Sequence, residues 1–375
     1  MAPPKKQNTR AETLRLRPSE VKEALKHAAE RGRPVFLWGP PGIGKSSIAR
    51  QVADELGFDN FRDQRLSQMD PTDIRGIPIP GEDSMGNKVA YWSPPSWYEA
   101  NHAKKTWYMF DEMNAAPPSV QAAAYQIVLD KAIGDYKLGK LDYVCAAGNG
   151  ETDKGATFKM ATPLMNRLVH IELVVNFDDW QVHAIDKRFD SNVVGYISFQ
   201  KENLFQFDPT NASRGFATPR SWEFVSQLVA GNPNVSEQVL LALVAGAVGE
   251  GVALQFMDYR RNAANLPKPS DILEGKVTKL KSSEISLQYA LVTSLCYELS
   301  DIFANHKSLA EDAHKKAIVT ASDNFIGFMM DNFVTELVIM GARTALAQYK
   351  LELPTNDMKK WADFANKHRD LIISA

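Results

Sequence analysis

The sequence predicts a three-layer α/β domain with a largely parallel sheet, followed by an all-helical region. Strand-like and helix-like segments alternate as far as about residue 212, and beyond it only helical periodicity recurs. The chain has 375 residues, of which 44% are hydrophobic, so it is long enough for two cores. We therefore divide it into a flexible tail (1–14), an α/β core (15–212) and a helical lid with a C-terminal helical region (213–375).

The core is predicted from apolar runs and their spacing. A helix at 18–30 leads into the first strand, and each later strand follows a turn or a helix. Two short extended arms around a glycine-bearing turn predict a hairpin over about 74–92. The predicted strands are 33–38, 62–66, 106–110, 142–147 and 167–175, and the further helices are 48–56, 96–104 and 119–130.

The second half of the chain carries apolar residues at helical spacing. A Leu-Pro-Lys-Pro segment at 266–269 interrupts the pattern once. We read Met329, Met330, Phe333 and Met340 as helical core. The predicted helices are 219–230, 236–259, 286–305, 311–331 and 333–349, with a closing helix within 356–373.

Charge and cysteine content narrow the class of protein. The formal net charge is −2 and the isoelectric point about 6.4, which shows no general bias toward nucleic acid or acidic membranes. Cys145 and Cys296 lie inside apolar runs, as small core residues do in a reducing compartment. No run of 18 apolar residues occurs, so we expect a cytoplasmic protein without a membrane segment.

Residues 39–46 read Gly-Pro-Pro-Gly-Ile-Gly-Lys-Ser, a complete phosphate-binding loop between a predicted strand and a predicted helix. Its glycines allow backbone N–H groups to turn toward an anion, and the helix N-terminus adds partial positive charge. We expect Lys45 to reach the β- and γ-phosphates of ATP and Ser46 to bind Mg²⁺. The alternative, a chance Gly/Pro-rich turn, would not require both flanks to match. The predicted nucleotide-binding residues are Gly39, Pro40, Pro41, Gly42, Ile43, Gly44, Lys45, Ser46 and Ser47.

The strand predicted at 106–110 ends in a pair of carboxylates, as a Walker B strand does. We expect Asp111 to hold the hydrated Mg²⁺ and Glu112 to orient and deprotonate the attacking water. A kinase does not need the second carboxylate in this place, so the pair indicates ATP hydrolysis. Acids at the start of a helix are the alternative reading of any Asp-Glu pair.

Three further polar residues are candidates for the catalytic site. Asn149 follows the next predicted strand and is placed to bond the attacking water and the γ-phosphate, although an Asn between glycines is also an ordinary turn. Arg167 precedes a strand, where a surface arginine is the alternative. Arg220 lies in the first turn of a helix, where a cation opposes the helix dipole unless an anion such as phosphate compensates. Arg214 is a weaker candidate for the same role.

Taken in order, these motifs resemble the AAA+ ATPases, specifically the MoxR family, over roughly residues 18–275. The most specific part is Asp-Glu-Met-Asn at 111–114, followed by the paired prolines at 117–118. The resemblance implies a ring, usually a hexamer, with nucleotide between subunits. It implies Arg167 as an arginine finger acting in trans and Arg220 as sensor 2, with the hairpin as the helix-2 insert on the axial surface. Ala115 stands where the family usually has arginine, and the segment 132–140 is short for a pre-sensor hairpin.

We therefore expect an ATPase that remodels or matures a protein client, and the resemblance implies a partner with a von Willebrand A domain. One alternative is a nucleic-acid motor, for which the hairpin offers only Arg75 and Lys88 against three acids. Another is a nucleotide-gated scaffold that barely hydrolyses ATP. We expect the aromatic residues of the hairpin region to pack onto their own domain; they are Tyr91, Trp92, Trp97 and Tyr98.

Overall fold

The computed structural model describes residues 14–150, 158, 160–208, 214–231, 234–281, 284–304 and 311–373. The predicted flexible tail lies outside the described residues except for Leu14. The packing divides the chain into two compact units. The first comprises the described residues up to Asn176 together with Asp208, and the second comprises 177–207 and the described residues from 214 onward. The chain thus leaves the sheet-bearing unit after Asn176 and returns to it at Asp208, and the domain boundary at residue 212 stays a prediction.

The first unit is built on a six-stranded parallel sheet. Its strands are β1 (Arg15–Leu16), β2 (Val35–Trp38), β3 (Asn60–Arg65), β6 (Thr106–Asp111), β9 (Tyr143–Gly148) and β10 (Val169–Leu173). They lie in the order β1-β10-β2-β9-β6-β3, and all six pair in parallel, so the prediction of a largely parallel sheet is confirmed. β2, β9 and β6 lie inside the sheet and consist of almost continuous apolar runs, as strands do when both faces are covered.

The helices of the first unit cover this sheet. Their buried residues recur at helical spacing, as Val21 and Leu25 do in the first helix. The second helix starts directly at Lys45 and buries Ile48 and Val52. The helices are α1 (Pro18–Glu30), α2 (Lys45–Glu55), α3 (Pro71–Arg75), α4 (Pro118–Asp130) and α5 (Thr162–Met165).

Two small antiparallel hairpins project from this unit. The larger consists of β4 (Ile77–Glu82) and β5 (Lys88–Ser93), and the smaller of β7 (Ala132–Ile133) and β8 (Tyr136–Lys137). Gly76 precedes β4 with φ of 88°, and a Cβ there would overlap the carbonyl of Ser93. Only glycine therefore fits this entrance to the larger hairpin.

The helix predicted at 96–104 is wrong, because this segment forms turns. Side chains bond the local backbone there: Glu99 accepts from the N–H of Asn101, and Asn101 accepts from the N–H of Ala103. Such bonds compete with the helical pattern. The packing predicted for Trp97 and Tyr98 is confirmed, since the Trp97 ring N–H donates to Asp73 and the Tyr98 hydroxyl donates to Lys137.

The second unit is helical throughout its regular structure. The single helix predicted at 236–259 is two helices, because Gly249 at φ of 90° ends the first. After Arg343 the chain continues as a π-helical turn at Thr344–Gln348. The helices are α6 (Phe177–Asp186), α7 (Ser191–Phe199), α8 (Pro219–Val229), α9 (Glu237–Val248), α10 (Glu250–Ala263), α11 (Pro269–Leu273), α12 (Ile285–Ala304), α13 (Glu311–Asn332), α14 (Thr335–Arg343) and α15 (Trp361–Ile373).

Helices α6 and α7 belong to this second unit because α7 packs against α10 and α12. A second core of buried apolar residues lies between α11, α12, α13, α14 and α15. Met329 is fully buried in it, and Met330, Phe333 and Met340 pack against it, so the reading of these residues as helical core is confirmed. Both cysteines are buried and free. Within the described residues, no helix combines the length and the apolar character needed to cross a bilayer.

Candidate nucleotide-binding site

The phosphate-binding loop connects β2 to α2, as the sequence predicts, and three glycines shape it. Gly39, Gly42 and Gly44 have φ of 152°, 78° and 95°. A Cβ on Gly39 would lie 2.7 Å from the Cδ1 atom of Ile43, whereas a Cβ on Gly44 would meet no atom of the described residues within 4 Å. Gly44 is therefore required by its backbone conformation, and Gly39 by close packing as well.

The Lys45 side chain lies inside this loop. Its side chain is 8% exposed, and its Nζ donates to the carbonyl oxygens of Gly39 at 2.7 Å and Pro40 at 3.0 Å. Nζ also lies 3.3 Å from Oδ1 of Asn149. The loop thus fixes a positive charge inside its own turn, and such a charge favours a bound phosphate.

Ser46 and Asp111 meet across the site. The Ser46 hydroxyl donates to Oδ2 of Asp111 at 2.6 Å, and the Glu112 N–H donates to Oδ1 of the same carboxylate at 2.8 Å. A hydroxyl and a carboxylate in contact form a pair of hard oxygen donors, which suits Mg²⁺ because this ion keeps several waters and needs few protein ligands. The described residues hold no cluster of three or more His, Cys, Asp or Glu side chains that would suit a fully protein-bound metal.

The edge of the sheet near Asp111 carries negative charge. Desolvation and then the charge of Asp111 raise the pKa of Asp63 on β3, with Glu112 contributing in the same direction. The charge of Asp111 thus adds a negative potential at Asp63, which Arg65 and Arg50 partly offset because they lower the pKa of Asp63. A divalent cation is stabilised by such a potential.

Glu112 follows β6 in a left-handed conformation, with φ of 55° and ψ of 30°. This conformation is costly for a residue with a side chain, so the surrounding contacts must hold it. One of them is Ser67, whose hydroxyl donates to the Glu112 carboxylate. Sequence reasoning missed Ser67. Only its position could have indicated it. Ser67 follows β3, and because β3 pairs in parallel with β6, the carboxyl ends of the two strands lie side by side.

Asn149 follows β9, the strand between β2 and β6, so the structure brings it to the same edge as Lys45 and Asp111. Its backbone is held by Asn114, a residue buried to 2% exposure in the turn after Glu112. Sequence reasoning noted Asn114 only as part of a motif.

Arg167, in the first unit, makes no contact with the loop among the described bonds. Arg167 is exposed; its Nη1 donates to the Pro163 carbonyl at 2.9 Å, and its guanidinium lies 5.4 Å from the centre of the Tyr125 ring. Arg220 is the second residue of α8 and is exposed. Arg214, which precedes α8, is also exposed, and both arginines belong to the second compact unit. The Ser47 side chain is also exposed and accepts a bond from Gln51 at 3.4 Å. The roles given to these residues stay predictions.

Comparison with known proteins finds a family model that includes the loop. Residues 34–146 match the AAA domain of the dynein-related subfamily. A stretch of 42 residues is 52% identical to replication factor C subunit 1 of Saccharomyces cerevisiae, covering 10% of this chain and 5% of that protein. A stretch of 195 residues is 21% identical to the Lon protease of Borrelia duttonii, covering 47% of this chain and 22% of that protein.

The chain therefore spans less than a quarter of the length of these two curated relatives. Among solved structures, a point mutant of RuvB from Thermotoga maritima is similar with 16% identity and a TM-score of 0.36, over 80% of this chain and 93% of that one. The family match runs from the strand before the phosphate-binding loop, past Asp111, into β9, and this part of the chain has the P-loop AAA+ fold.

Proposed function

We propose that this chain is an ATP-hydrolysing ring protein of the MoxR type that couples nucleotide turnover to the remodelling or maturation of a protein client. One observation carries the hydrolytic part: Ser46 and Asp111 lie in contact at 2.6 Å, beside Lys45 and directly before Glu112. This arrangement unites a phosphate cradle, a magnesium-type oxygen pair and a candidate base at one edge of the sheet.

The residues present fit ATP and Mg²⁺. The N–H groups of the loop and the Lys45 ammonium would hold the phosphates, and Ser46 and Asp111 would hold the hydrated ion. Bound Mg²⁺ would supply positive charge that neutralises the terminal phosphates. The Ser47 side chain is exposed. Its backbone N–H, in the first turn of α2, would therefore be the group that binds the phosphates.

Glu112 would orient the attacking water and accept its proton. Asn149, which contacts Lys45, would donate its side-chain amide to the γ-phosphate or to the water. The need for a water-activating carboxylate separates hydrolysis from phosphoryl transfer to a substrate hydroxyl.

The ring, most simply a hexamer, is proposed from the resemblance to MoxR proteins. In it Arg167 would act on the neighbouring subunit's nucleotide, and its exposure and its modest contacts with its own chain are compatible with that role. Arg220 would serve as sensor 2, and a partner with a von Willebrand A domain would link the ring to its client. Free, buried Cys145 and Cys296 support a cytoplasmic location.

The test compares ATP binding and turnover in two variants. Glu112→Gln keeps the shape of the side chain but removes the base, so kcat should fall by about 10² to 10⁴ while the Kd for ATP stays near that of the wild type. Lys45→Ala should lose ATP binding itself. Glu30→Gln and Lys187→Ala, both at exposed positions, are the matched controls. Turnover by Glu112→Gln at the wild-type rate would contradict the assignment.

The client side of the proposal is tested by capture. Glu112→Gln with ATP should retain a von Willebrand A protein encoded beside this gene, because binding without hydrolysis holds the ring in its ATP state. Lys45→Ala should not retain it, and equal recovery with both variants would contradict nucleotide-dependent pairing.

A further inference from the structure

Asn114 commits both polar atoms of its buried side chain to one backbone position. Its Nδ2 donates to the carbonyl oxygen of Asn149 at 2.7 Å, and the Asn149 N–H donates to its Oδ1 at 3.1 Å. Two bonds closing one ring fix the orientation of the bonded group as well as its position. The Asn114 side chain therefore acts as a clamp on the main chain of Asn149.

The chain reaches this clamp through the left-handed residue Glu112. The turn at Met113–Ala115 follows, closed by a bond from the Ala115 N–H to the Glu112 carbonyl at 2.9 Å. The turn buries Met113 and Asn114 while Glu112 stays partly exposed. This one turn thus leaves the candidate base Glu112 at the edge of the sheet and brings the side-chain amide of Asn114 into contact with Asn149, just after β9.

The clamp also needs the glycine at the end of β9. A Cβ on Gly148 would overlap Oδ1 of Asn114 and lie 2.7 Å from Cζ of Phe36. The Gly148 carbonyl accepts from the N–H of Gly39, the first residue of the phosphate-binding loop, at 3.3 Å. The 148–149 tip is therefore held from one side by Asn114 and from the other by the loop.

We propose that Asn114 is a positioning residue for the catalytic step: it orients Asn149 so that this side chain faces Lys45 and the γ-phosphate position. The proposal rests on the function proposed above. Asn114 acts through Asn149, whose Oδ1 lies 3.3 Å from the Lys45 Nζ. Its loss should lower the rate of hydrolysis more than the affinity for ATP, because displacement of a catalytic group by about 1 Å can cost about a hundredfold in rate.

The first variant is Asn114→Asp, which keeps the size of the side chain and places an oxygen opposite the Asn149 carbonyl. We expect kcat to fall by about 10- to 100-fold and the Kd for ATP to change less than about threefold. The matched control is Gln121→Glu. Gln121 is also buried in this core, and its Nε2 donates to the Ala116 carbonyl at 3.0 Å, so the same chemical change is made without touching Asn149. It should keep kcat within about threefold of the wild type.

A double-mutant cycle with Asn149→Ala separates positioning from general damage. If Asn114 acts through Asn149, adding Asn114→Asp to Asn149→Ala should not lower kcat further. If the two losses multiply, the proposal is overturned. Normal kcat in Asn114→Asp would overturn it as well.

Two measurements keep the proposal testable if Asn114→Asp folds poorly. Gly148→Ala keeps Asn114 but pushes into its oxygen, and it should reproduce the loss of kcat with ATP binding retained. Hydrogen exchange of the Asn149 amide in nucleotide-free protein should quicken by about tenfold or more in Gly148→Ala relative to Gln121→Glu. Unchanged exchange together with unchanged kcat would refute the clamp. A wild-type protein that does not hydrolyse ATP would instead refute the proposed function, and this inference with it.

Discussion

Replacing Arg167 with alanine should nearly abolish ATP turnover while leaving the fold and ATP binding intact. An arginine finger is worth about 10³- to 10⁵-fold in turnover because it neutralises charge that develops in the transition state. At about 1.4 kcal/mol per tenfold change, this corresponds to about 4 to 7 kcal/mol of transition-state stabilisation.

The contacts that Arg167 makes within its own chain contribute much less free energy than this. A cation–π contact at an exposed site contributes about 0.5–1 kcal/mol, and an exposed hydrogen bond to the Pro163 carbonyl contributes about 1 kcal/mol. Their loss should lower the melting temperature by only a few degrees. Arg188→Ala is the control, because this exposed arginine lies 5.2 Å from the Tyr297 ring centre and also pairs with Asp301 at 2.6 Å. Because it loses an ion pair as well, it should show a thermal shift at least as large, with normal turnover.

Mixing then tests whether Arg167 acts between subunits. Arg167→Ala and Glu112→Gln are each expected to be inactive, with lesions on opposite sides of a shared interface. In rings formed from equal amounts of both, about a quarter of the interfaces join an intact Glu112 to an intact Arg167, so activity should partly return. Light scattering and a tag on one variant establish that subunits mix. If they mix and no activity returns, Arg167 acts within its own subunit.

Three further outcomes follow from contacts in the two units. Ser67→Ala removes the hydroxyl that bonds the Glu112 carboxylate, so basal kcat should rise by up to about tenfold at saturating ATP; a fall would show that Ser67 orients the base productively. Gly76→Ala should loosen the larger hairpin and speed its proteolysis, whereas Gly57→Ala, also at positive φ but without a clash among the described residues, should not. Phe325→Ala should destabilise the second unit by about 3–5 kcal/mol, measured by denaturant unfolding, and a loss below about 1 kcal/mol would contradict its place in the core.

The phosphate-binding loop and the parallel sheet could be predicted because their signals are local. A glycine pattern between an apolar strand and an amphipathic helix predicts the conformation of that same segment, and a buried strand can be predicted from its run of apolar residues. The helix predicted at 96–104 is absent because contacts of its side chains override the local pattern. The composition of this segment is compatible with a helix, but Glu99 and Asn101 bond the local backbone instead, and Trp97 bonds Asp73, which lies 24 residues earlier.

The residues missed in the candidate site share a different property, which is that their partners are distant in the sequence. Ser67 bonds a residue 45 positions later, and Asn114 bonds one 35 positions later. No local pattern encodes such pairs, but the strand order does. Because β2, β9, β6 and β3 are neighbours and run in parallel, the residues after each strand meet at one edge of the sheet. Once the order is known, a hydroxyl after β3 must lie near the carboxylates after β6, and an amide in the turn after β6 can reach the tip of β9. The same reasoning accounts for why Arg167, which precedes β10 rather than following it, enters no described contact with the loop of its own chain; its action on a neighbouring subunit stays a prediction.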